Sequence, residues 1–296
     1  MNGMKQNKLI FSDFFTKNYK VIYADIGASG GLINPWDIFD KENLKVIGFE
    51  PDKSEYEKLS MVNPNNQYYN IGLWSTNEVR KFYIMENGIS TSSLYPPNLK
   101  LNSMHLEHYN VGRTISRVIE VPCDSLDCII INKNDIPDFI KIDTQGSEYE
   151  ILKGAQNLLT QNTLLVTAET WIEEYYLGAP TMEKIILLMK SFGYNLFGTE
   201  PAAARKFRNS RNIEDKSRQH MAGFELLFIK DFEKLKFNNS DRFVVFIALL
   251  ELYAYRSYAI YILENTSFID NNLKNTLLDI LYANAVEEPQ IYPRLR

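Results

Sequence analysis

Cysteine is scarce in this 296-residue chain: Cys123 and Cys128 are the only two. Two thiols build neither a disulfide framework nor a four-thiolate zinc site, and they fit a reducing, cytoplasmic compartment. Long apolar runs are lacking as well. The N-terminal MNGMKQNKLIFSDFF has only Leu9, Ile10 and Phe11 in succession before Ser12 and Asp13, short of the roughly 7–15 residues of a secretory core. The most apolar stretch, residues 243–263, is interrupted by Glu251 and Arg256, and a spanning helix needs about 18 nearly uncharged residues. Positive charge is not in excess either. Lys and Arg number 32 against 37 Asp and Glu, a net charge of −5, which argues against a surface built as a footprint for nucleic acid. With 45% hydrophobic and 23% charged residues, the composition is that of an ordinary folded chain. No repeat and no low-complexity tract is visible. At about 150 residues per domain, the length allows two domains or one large domain with an appendage.

What is present is an alternation of short apolar runs with helical patterns. The runs are VIYADIG (21–27), KVIGFEP (45–51), QYYNIGLW (67–74), RKFYIM (80–85), RVIEVP (117–122), DFIKID (138–143), LLVTAET (164–170) and GFELLFIK (223–230). Several are continuously apolar, as parallel strands covered on both faces are. Helices are expected over 147–160 and 181–192, so the fold class is α/β with a mostly parallel sheet. Asn34-Pro35 reads as the start of another helix. After Lys230 the pattern changes to two helices, 243–263 and 272–285. The first is apolar nearly all round and must be buried, against the main domain or against a second copy. The expected domains are 1–230, carrying the sheet, and a helical appendage, 231–296.

Three segments carry chemistry. The first strand exits through Asp25-Ile26-Gly27-Ala28-Ser29-Gly30-Gly31, an acidic strand end running into a glycine-rich turn at the sheet edge where α/β folds bind ligands. The G-x-x-G-G spacing without a following Lys-Ser or Lys-Thr disfavours a phosphate-cradling loop, and an acid at the mouth suits a ligand with a positive amino group. The second strand ends at Glu50-Pro51-Asp52. Glu50 stands 23 residues after Gly27, near the roughly 20 at which a Rossmann-like fold places its ribose-binding acid. The third segment, Ile140 to Ala155, ends a strand at Asp143 and starts a helix near Ser147, with Glu150 positioned to complete a capping box. Glu169, ending the next strand, is expected at the same edge. Two neighbouring carboxylates there could share a divalent metal or a proton.

DIGASGG, IGFEPD and DFIKIDTQGSEYEILKGA together resemble the FkbM family of S-adenosylmethionine-dependent methyltransferases, which have the Rossmann-like class I methyltransferase fold. NIGLW, STSSL, VPCDSLDCII and AETW agree with it, and the resemblance runs from about residue 20 to about residue 230. It implies O-methyl transfer to a hydroxyl of a sugar, nucleotide-sugar, polyketide or related metabolite, in polysaccharide or glycan biosynthesis if the acceptor is a sugar. It also implies S-adenosylhomocysteine as product. By resemblance, Asp25, Gly27, Ala28, Gly30 and Gly31 hold the methionine part and ribose. Glu50 takes the ribose hydroxyls, and Pro51 and Asp52 lie beside the adenine. Asn70, Ile71 and Gly72 line the adenine's other side, and Asp143 faces the reacting methyl. Methyl transfer needs an aligned acceptor oxygen and a base; the candidates are Asp143, Glu169 and His220, with Asp143 and Glu169 as ligands if a divalent metal is used.

Other features admit a plain and a sharp reading. His105-Leu106-Glu107-His108 lies in an insertion that is either a surface loop or a cover over the acceptor, with His108 the candidate contact. The stretch from Arg205 to Arg218 has six Lys/Arg and two acidic residues. It is either a solvated loop or an anion-binding lid over a nucleotide-sugar pyrophosphate, led by Arg205. Trp171, Tyr175 and Tyr176 either stack on a sugar ring or belong to the core. Tyr149-x-x-x-Lys153 has the spacing of short-chain dehydrogenases and epimerases, but their G-x-x-x-G-x-G loop is missing, and packing is expected of Tyr149. A non-catalytic carbohydrate-binding protein of the same fold is the alternative from another class. Homo-oligomerisation through the C-terminal helices is a further expectation.

Overall fold

The computed structural model describes residues 19–32, 35–36, 42–86, 88–130, 135–161, 163–211 and 213–285. The helix start expected at Asn34 lies outside them. The chain divides into two compact units. The larger takes residues 22–32 and 46–231; the smaller takes, among the described residues, 19–21, 35–36, 42–45 and 232–285.

The main sheet is built from β1 (Val21–Ile26), β2 (Leu44–Phe49), β3 (Gln67–Tyr69), β7 (Phe139–Ile142), β8 (Leu165–Trp171), β9 (Tyr194–Arg205) and β10 (His220–Lys230). Its order is β3-β2-β1-β7-β8-β10-β9. Strand β3 pairs parallel with β2, β1 with β7 and β7 with β8, while β10 runs antiparallel to both β8 and β9. This is the Rossmann-like class I methyltransferase arrangement. Every residue of β8 is buried, as a run covered on both faces requires. The strand order reverses between β1 and β7, and the crevice at the carboxyl ends of such a pair is where open α/β sheets bind ligands. A second sheet, in the order β4-β6-β5, is formed by β4 (Gly72–Leu73), β5 (Glu78–Met85) and β6 (Ile115–Asp124).

The helices of the larger unit are α1 (Lys53–Val62), α2 (Leu99–Asn102), α3 (Leu126–Ile130), α4 (Glu148–Lys153), α5 (Gln156–Gln161) and α6 (Met182–Ser191). Ile151, Leu158, Ile185 and Met189 from α4, α5 and α6 share one buried core with Ile26, Ile142 and Val166 of the sheet. Fully burying each such side chain contributes about 1.5–3 kcal/mol.

Four expectations need correction. QYYNIGLW is not one strand: the chain leaves the main sheet after Tyr69, because Asn70 folds back to donate from Nδ2 to the carbonyls of Glu50 (2.9 Å) and Pro51 (3.1 Å). Helix 147–160 is two helices broken at Gly154, where a Cβ would lie 2.3 Å from the Trp74 carbonyl oxygen. The apolar stretch 243–263 is also two helices, α7 (Ser240–Leu252) and α8 (Arg256–Asn265), parted at Ala254 in the left-handed conformation (φ 64°). Strand β9 was not among the apolar runs, because it is a sheet edge on which buried and exposed positions mix.

In the smaller unit, α7 is buried at every residue from Phe243 to Leu252, so this chain alone covers the helix that had no polar face. Helix α8 packs against α7 and against α9 (Asn271–Ala285). Phe232, Phe237, Phe243, Phe246 and Phe268 form one aromatic cluster there. Trp36 Nε1 donates to the Tyr253 hydroxyl at 2.9 Å, so chain from the β1–β2 connection belongs to the helical unit. Among the described residues, no helix is long and apolar enough to cross a membrane.

Candidate active site

A cleft of about 640 Å³, its open mouth included, lies at the carboxyl ends of β1, β2 and β7. Gly27, Glu50, Pro51, Ile71, Gly72 and Asp143 line it, and so do Phe82, Ser90, Ser92 and Leu94, which come from β5 and the chain following it. Gly27 has a positive φ of 78°, and a Cβ there would lie 2.0 Å from the Asp143 carbonyl oxygen. Only glycine lets the exits of β1 and β7 run side by side. Gly30 and Gly31 also have positive φ (91° and 78°), but an added Cβ would meet nothing within 4 Å. Ala28 is buried, and its N–H, with that of Gly27, donates to the Phe49 carbonyl at 3.2 Å. Gly72 serves packing: a Cβ would lie 2.6 Å from Cys123 Sγ.

Asp25 is buried and does not line the cleft. Lys141, the polar residue of β7, brings Nζ to 3.1 Å from Asp25 Oδ1 and donates to the Gly27 carbonyl at 3.1 Å. Burial alone would lower the Lys141 ammonium, but the Asp25 and Asp143 carboxylates outweigh it and hold its pKa above the usual value. The glycine loop therefore does have a lysine beside it, supplied across the sheet. Asp25 is thus paired with Lys141 within the sheet, and the carboxyls that line the cleft are those of Glu50 and Asp143.

Glu50 follows β2, is 5% exposed, and accepts the Asp52 N–H at 2.8 Å. Burial, reinforced by the Asp52, Glu55 and Asp25 carboxylates, pushes its carboxyl up to about 7. Asp52 is engaged elsewhere. Its Oδ1 caps α1 by accepting from the N–H groups of Ser54 (2.9 Å) and Glu55 (3.1 Å), and Arg117 lies 3.3 Å from Oδ2. Despite some burial, these partners hold its carboxyl below the usual range. Asn70 is exposed and acts on the site by stapling the Glu50-Pro51 backbone.

The capping box expected at Ser147 and Glu150 does not form. Ser147 caps nothing with its side chain, and Glu150 accepts from the Ser75 hydroxyl at 2.5 Å. Buried Glu148 takes over: it accepts from the Thr144 N–H (2.9 Å), the Thr144 hydroxyl (2.9 Å) and the Gly146 N–H (2.9 Å). Burial still pushes its carboxyl up to about 7. The loop it ties carries Asp143 and Gln145, and Gln145 is left-handed at φ 59°. Gln145 Nε2 donates both to Asp143 Oδ1 (2.9 Å) and to Glu169 Oε1 (3.2 Å). Its Oε1 accepts from the Tyr176 hydroxyl at 2.7 Å, and its carbonyl accepts from the Ser93 hydroxyl at 2.7 Å. Asp143 and Glu169 are thus brought together through an amide that places N–H donors between them. That donor does not fit a metal bound by the pair, and among the described residues no cluster of three or more His, Cys, Asp and Glu is placed to hold one.

Sequence similarity bears on this geometry directly. The sequence model of the methyltransferase FkbM domain matches residues 25–196, more than half of the chain. The chain belongs to the FkbM methyltransferase family. The matched span holds every predicted cofactor residue and both Asp143 and Glu169. No curated protein matches the sequence. Among solved structures, an FkbM methyltransferase from Methylobacillus flagellatus is similar at 16% identity and TM-score 0.38, over 71% of this chain and 43% of that one. A precorrin-6y C5,15-methyltransferase from Geobacter metallireducens is similar at 12% identity and TM-score 0.36, over 72% and 81% of the two chains. Magnesium protoporphyrin IX methyltransferase from Synechocystis, solved with bound S-adenosylmethionine, is similar at 8% identity and TM-score 0.36, over 72% and 71%. At such scores the strand order, and not the likeness, defines the fold.

Of the three base candidates in this FkbM chain, Asp143 alone lines the cleft. Glu169 is buried behind Gln145. His220 lines a different cavity, with its Nε2 3.3 Å from Glu173. His108 is exposed, 3.9 Å from Glu214, while His105 is buried against Tyr175, so the two histidines do not converge. Trp171 and Tyr175 are buried with Tyr176 in one aromatic cluster. Arg205 is buried on the Tyr175 ring. Tyr149 packs on the core and Lys153 reaches Glu150 at 3.8 Å, which accounts for that spacing. Sequence reasoning missed Gln145, Lys141, Ser90 and Ser92. All four lie in IKIDTQG and STSSL, the segments that resemble the family.

Proposed function

We propose that the chain transfers a methyl group from S-adenosylmethionine to a hydroxyl of a sugar or nucleotide-sugar. The observation that carries this reading is the convergence of Gly27, Glu50 and Asp143 on one cleft. The cofactor fits the residues present. Glu50 is a buried carboxyl with no ion pair among the described residues, suited to accept from two ribose hydroxyls, and Gly30 and Gly31 leave open space where a methionine part would lie. Ile71 and Pro51 supply apolar walls for the adenine. When bound, the cofactor supplies an electrophilic methyl on a positively charged sulfur.

The protein's task is then to align the acceptor oxygen and to take its proton. Asp143 is placed for this. Gln145 holds its Oδ1, and Oδ2 accepts no hydrogen bond from the described residues. Lys141 anchors the neighbouring backbone and keeps its proton, so it is no competitor as base. A charged donor between Asp143 and Glu169 is unnecessary because Gln145 Nε2 already relieves their repulsion. Activity should therefore survive chelation of divalent metals.

The test is methyl transfer from labelled S-adenosylmethionine to a panel of sugars, sugar phosphates and nucleotide-sugars, with Asp143→Asn beside the wild type. The reading predicts product with at least one acceptor and a loss of 10²-fold or more in Asp143→Asn, the usual worth of a general base. No methylated hydroxyl on any acceptor of the panel, or full activity in Asp143→Asn, would count against it.

A further inference from the structure

A second cavity, about 620 Å³ with its open side included, lies where β9 ends and β10 begins. Arg205, Lys206, Arg218 and His220 line it, with Asp215 as the acid among its lining residues. Lys206 Nζ donates to the Asp215 backbone carbonyl, and it also reaches the Asp215 carboxylate at 3.4 Å, so that acid is already matched. Arg218 is exposed and makes no ion pair among the described residues.

Arg205 is the unusual member. It is 8% exposed, and its only hydrogen bond among the described residues runs from Nη1 to the Tyr109 carbonyl at 3.2 Å. Its Nε is buried with no partner. Among the described residues no carboxylate pairs with it. A second buried guanidinium, Arg113, is near enough to help depress its pKa after burial itself. The rings of Tyr109 and Tyr175, 5.4 and 5.6 Å from the guanidinium carbon, replace only part of the lost hydration. Keeping a cation out of water without a counter-charge is costly, and a bound oxyanion would supply both the charge and an acceptor for Nε. Guanidinium groups match phosphate oxygens in pairs.

We propose that this cavity binds the phosphate of a phosphorylated acceptor, with Arg205 at its base and Arg218 at its rim. The inference rests on the methyl-transfer reading above and narrows it. Arg205 ends β9 beyond the level of Asp143: Ile142 pairs with Ala168, Ala168 with Leu226 and Leu226 with Thr199, so Asp143 is level with about Glu200. Three strand spacings of about 4.8 Å across and several residues of about 3.3 Å along the sheet separate the two backbones by roughly 20 Å. An acceptor that places a hydroxyl at Asp143 and a phosphate at Arg205 must be extended, which favours a long phosphorylated acceptor, such as a nucleotide-sugar, over a free sugar.

The test titrates inorganic pyrophosphate, and separately malonate, into the full chain by calorimetry at constant ionic strength. Wild type, Arg205→Gln and Arg218→Gln are compared, with S-adenosylhomocysteine titrated into each. The proposal expects saturable pyrophosphate binding, tighter than malonate, weakened at least tenfold in Arg205→Gln and at least threefold in Arg218→Gln. S-adenosylhomocysteine affinity should stay within twofold throughout. If Arg205→Gln does not fold, the exposed Arg218→Gln decides. No saturable pyrophosphate binding, unchanged affinity in the variants, or malonate binding as tightly would overturn the proposal. Failure of S-adenosylhomocysteine to bind the wild type would instead overturn the cofactor reading and leave the pyrophosphate result standing.

Discussion

Lowering the pH from 8 to 6 should weaken S-adenosylhomocysteine binding about tenfold, through one residue. Burial raises the Glu50 carboxyl to about 7 in the free protein, so it is mostly ionised at pH 8 and mostly protonated at pH 6. Ribose hydroxyls donate to a carboxylate more strongly than to a carboxylic acid, so the complex favours the ionised form and binding expels a proton. With the free pKa near 7 and a bound pKa well below 6, the affinity ratio between the two pH values is about 10, or 1.4 kcal/mol. Calorimetry in two buffers of different ionisation heat measures both the affinity and the released proton, about half a proton per site at pH 7. Glu50→Gln should lose affinity and flatten the profile. The same variant should be more stable than wild type at pH 8. A carboxyl raised on folding is destabilising above its unfolded value, so its removal gains up to the order of 3 kcal/mol. A wild-type affinity constant from pH 6 to 8, or a slope that persists in Glu50→Gln, would refute the assignment.

Gly27→Ala should unfold the sheet edge or abolish cofactor binding, because positive φ costs about 1–3 kcal/mol and the new Cβ would also overlap the Asp143 carbonyl oxygen 2.0 Å away; urea denaturation and S-adenosylhomocysteine titration read the two effects. Gln145→Leu removes the donor shared by Asp143 and Glu169 and the acceptor of the Tyr176 hydroxyl. It should cost on the order of 2–4 kcal/mol in chemical denaturation; a loss below 0.5 kcal/mol would mean the network carries little. Chelation should leave the methyl-transfer rate within twofold, and a loss restored by added magnesium would return Asp143 and Glu169 to the metal.

The strands that frame the cleft were legible because buried parallel strands are apolar runs: β1, β2, β7 and β8 lie within a residue or two of those runs. What escaped depends on contacts between residues distant in the chain. Asn70 sits inside an apolar run and breaks it only because its side chain reaches back to Glu50 and Pro51. Gly154 splits a helical pattern because Trp74 presses against it. At the cleft, Gly27 and Glu50, which the spacing had singled out, both line it. Asp25 was placed at the mouth, and the structure buries it against Lys141, an ion pair that joins neighbouring strands and leaves no local pattern. No local pattern marks Gln145; its role appears only when β8 brings Glu169 alongside.

The most direct measurement is a crystal structure of the chain with S-adenosylhomocysteine. The account predicts both ribose hydroxyls within hydrogen-bond distance of Glu50, the homocysteine part along Gly27–Gly31, and the sulfur turned toward Asp143. A ligand bound outside this cleft, or one whose ribose leaves Glu50 without a bond, would contradict it.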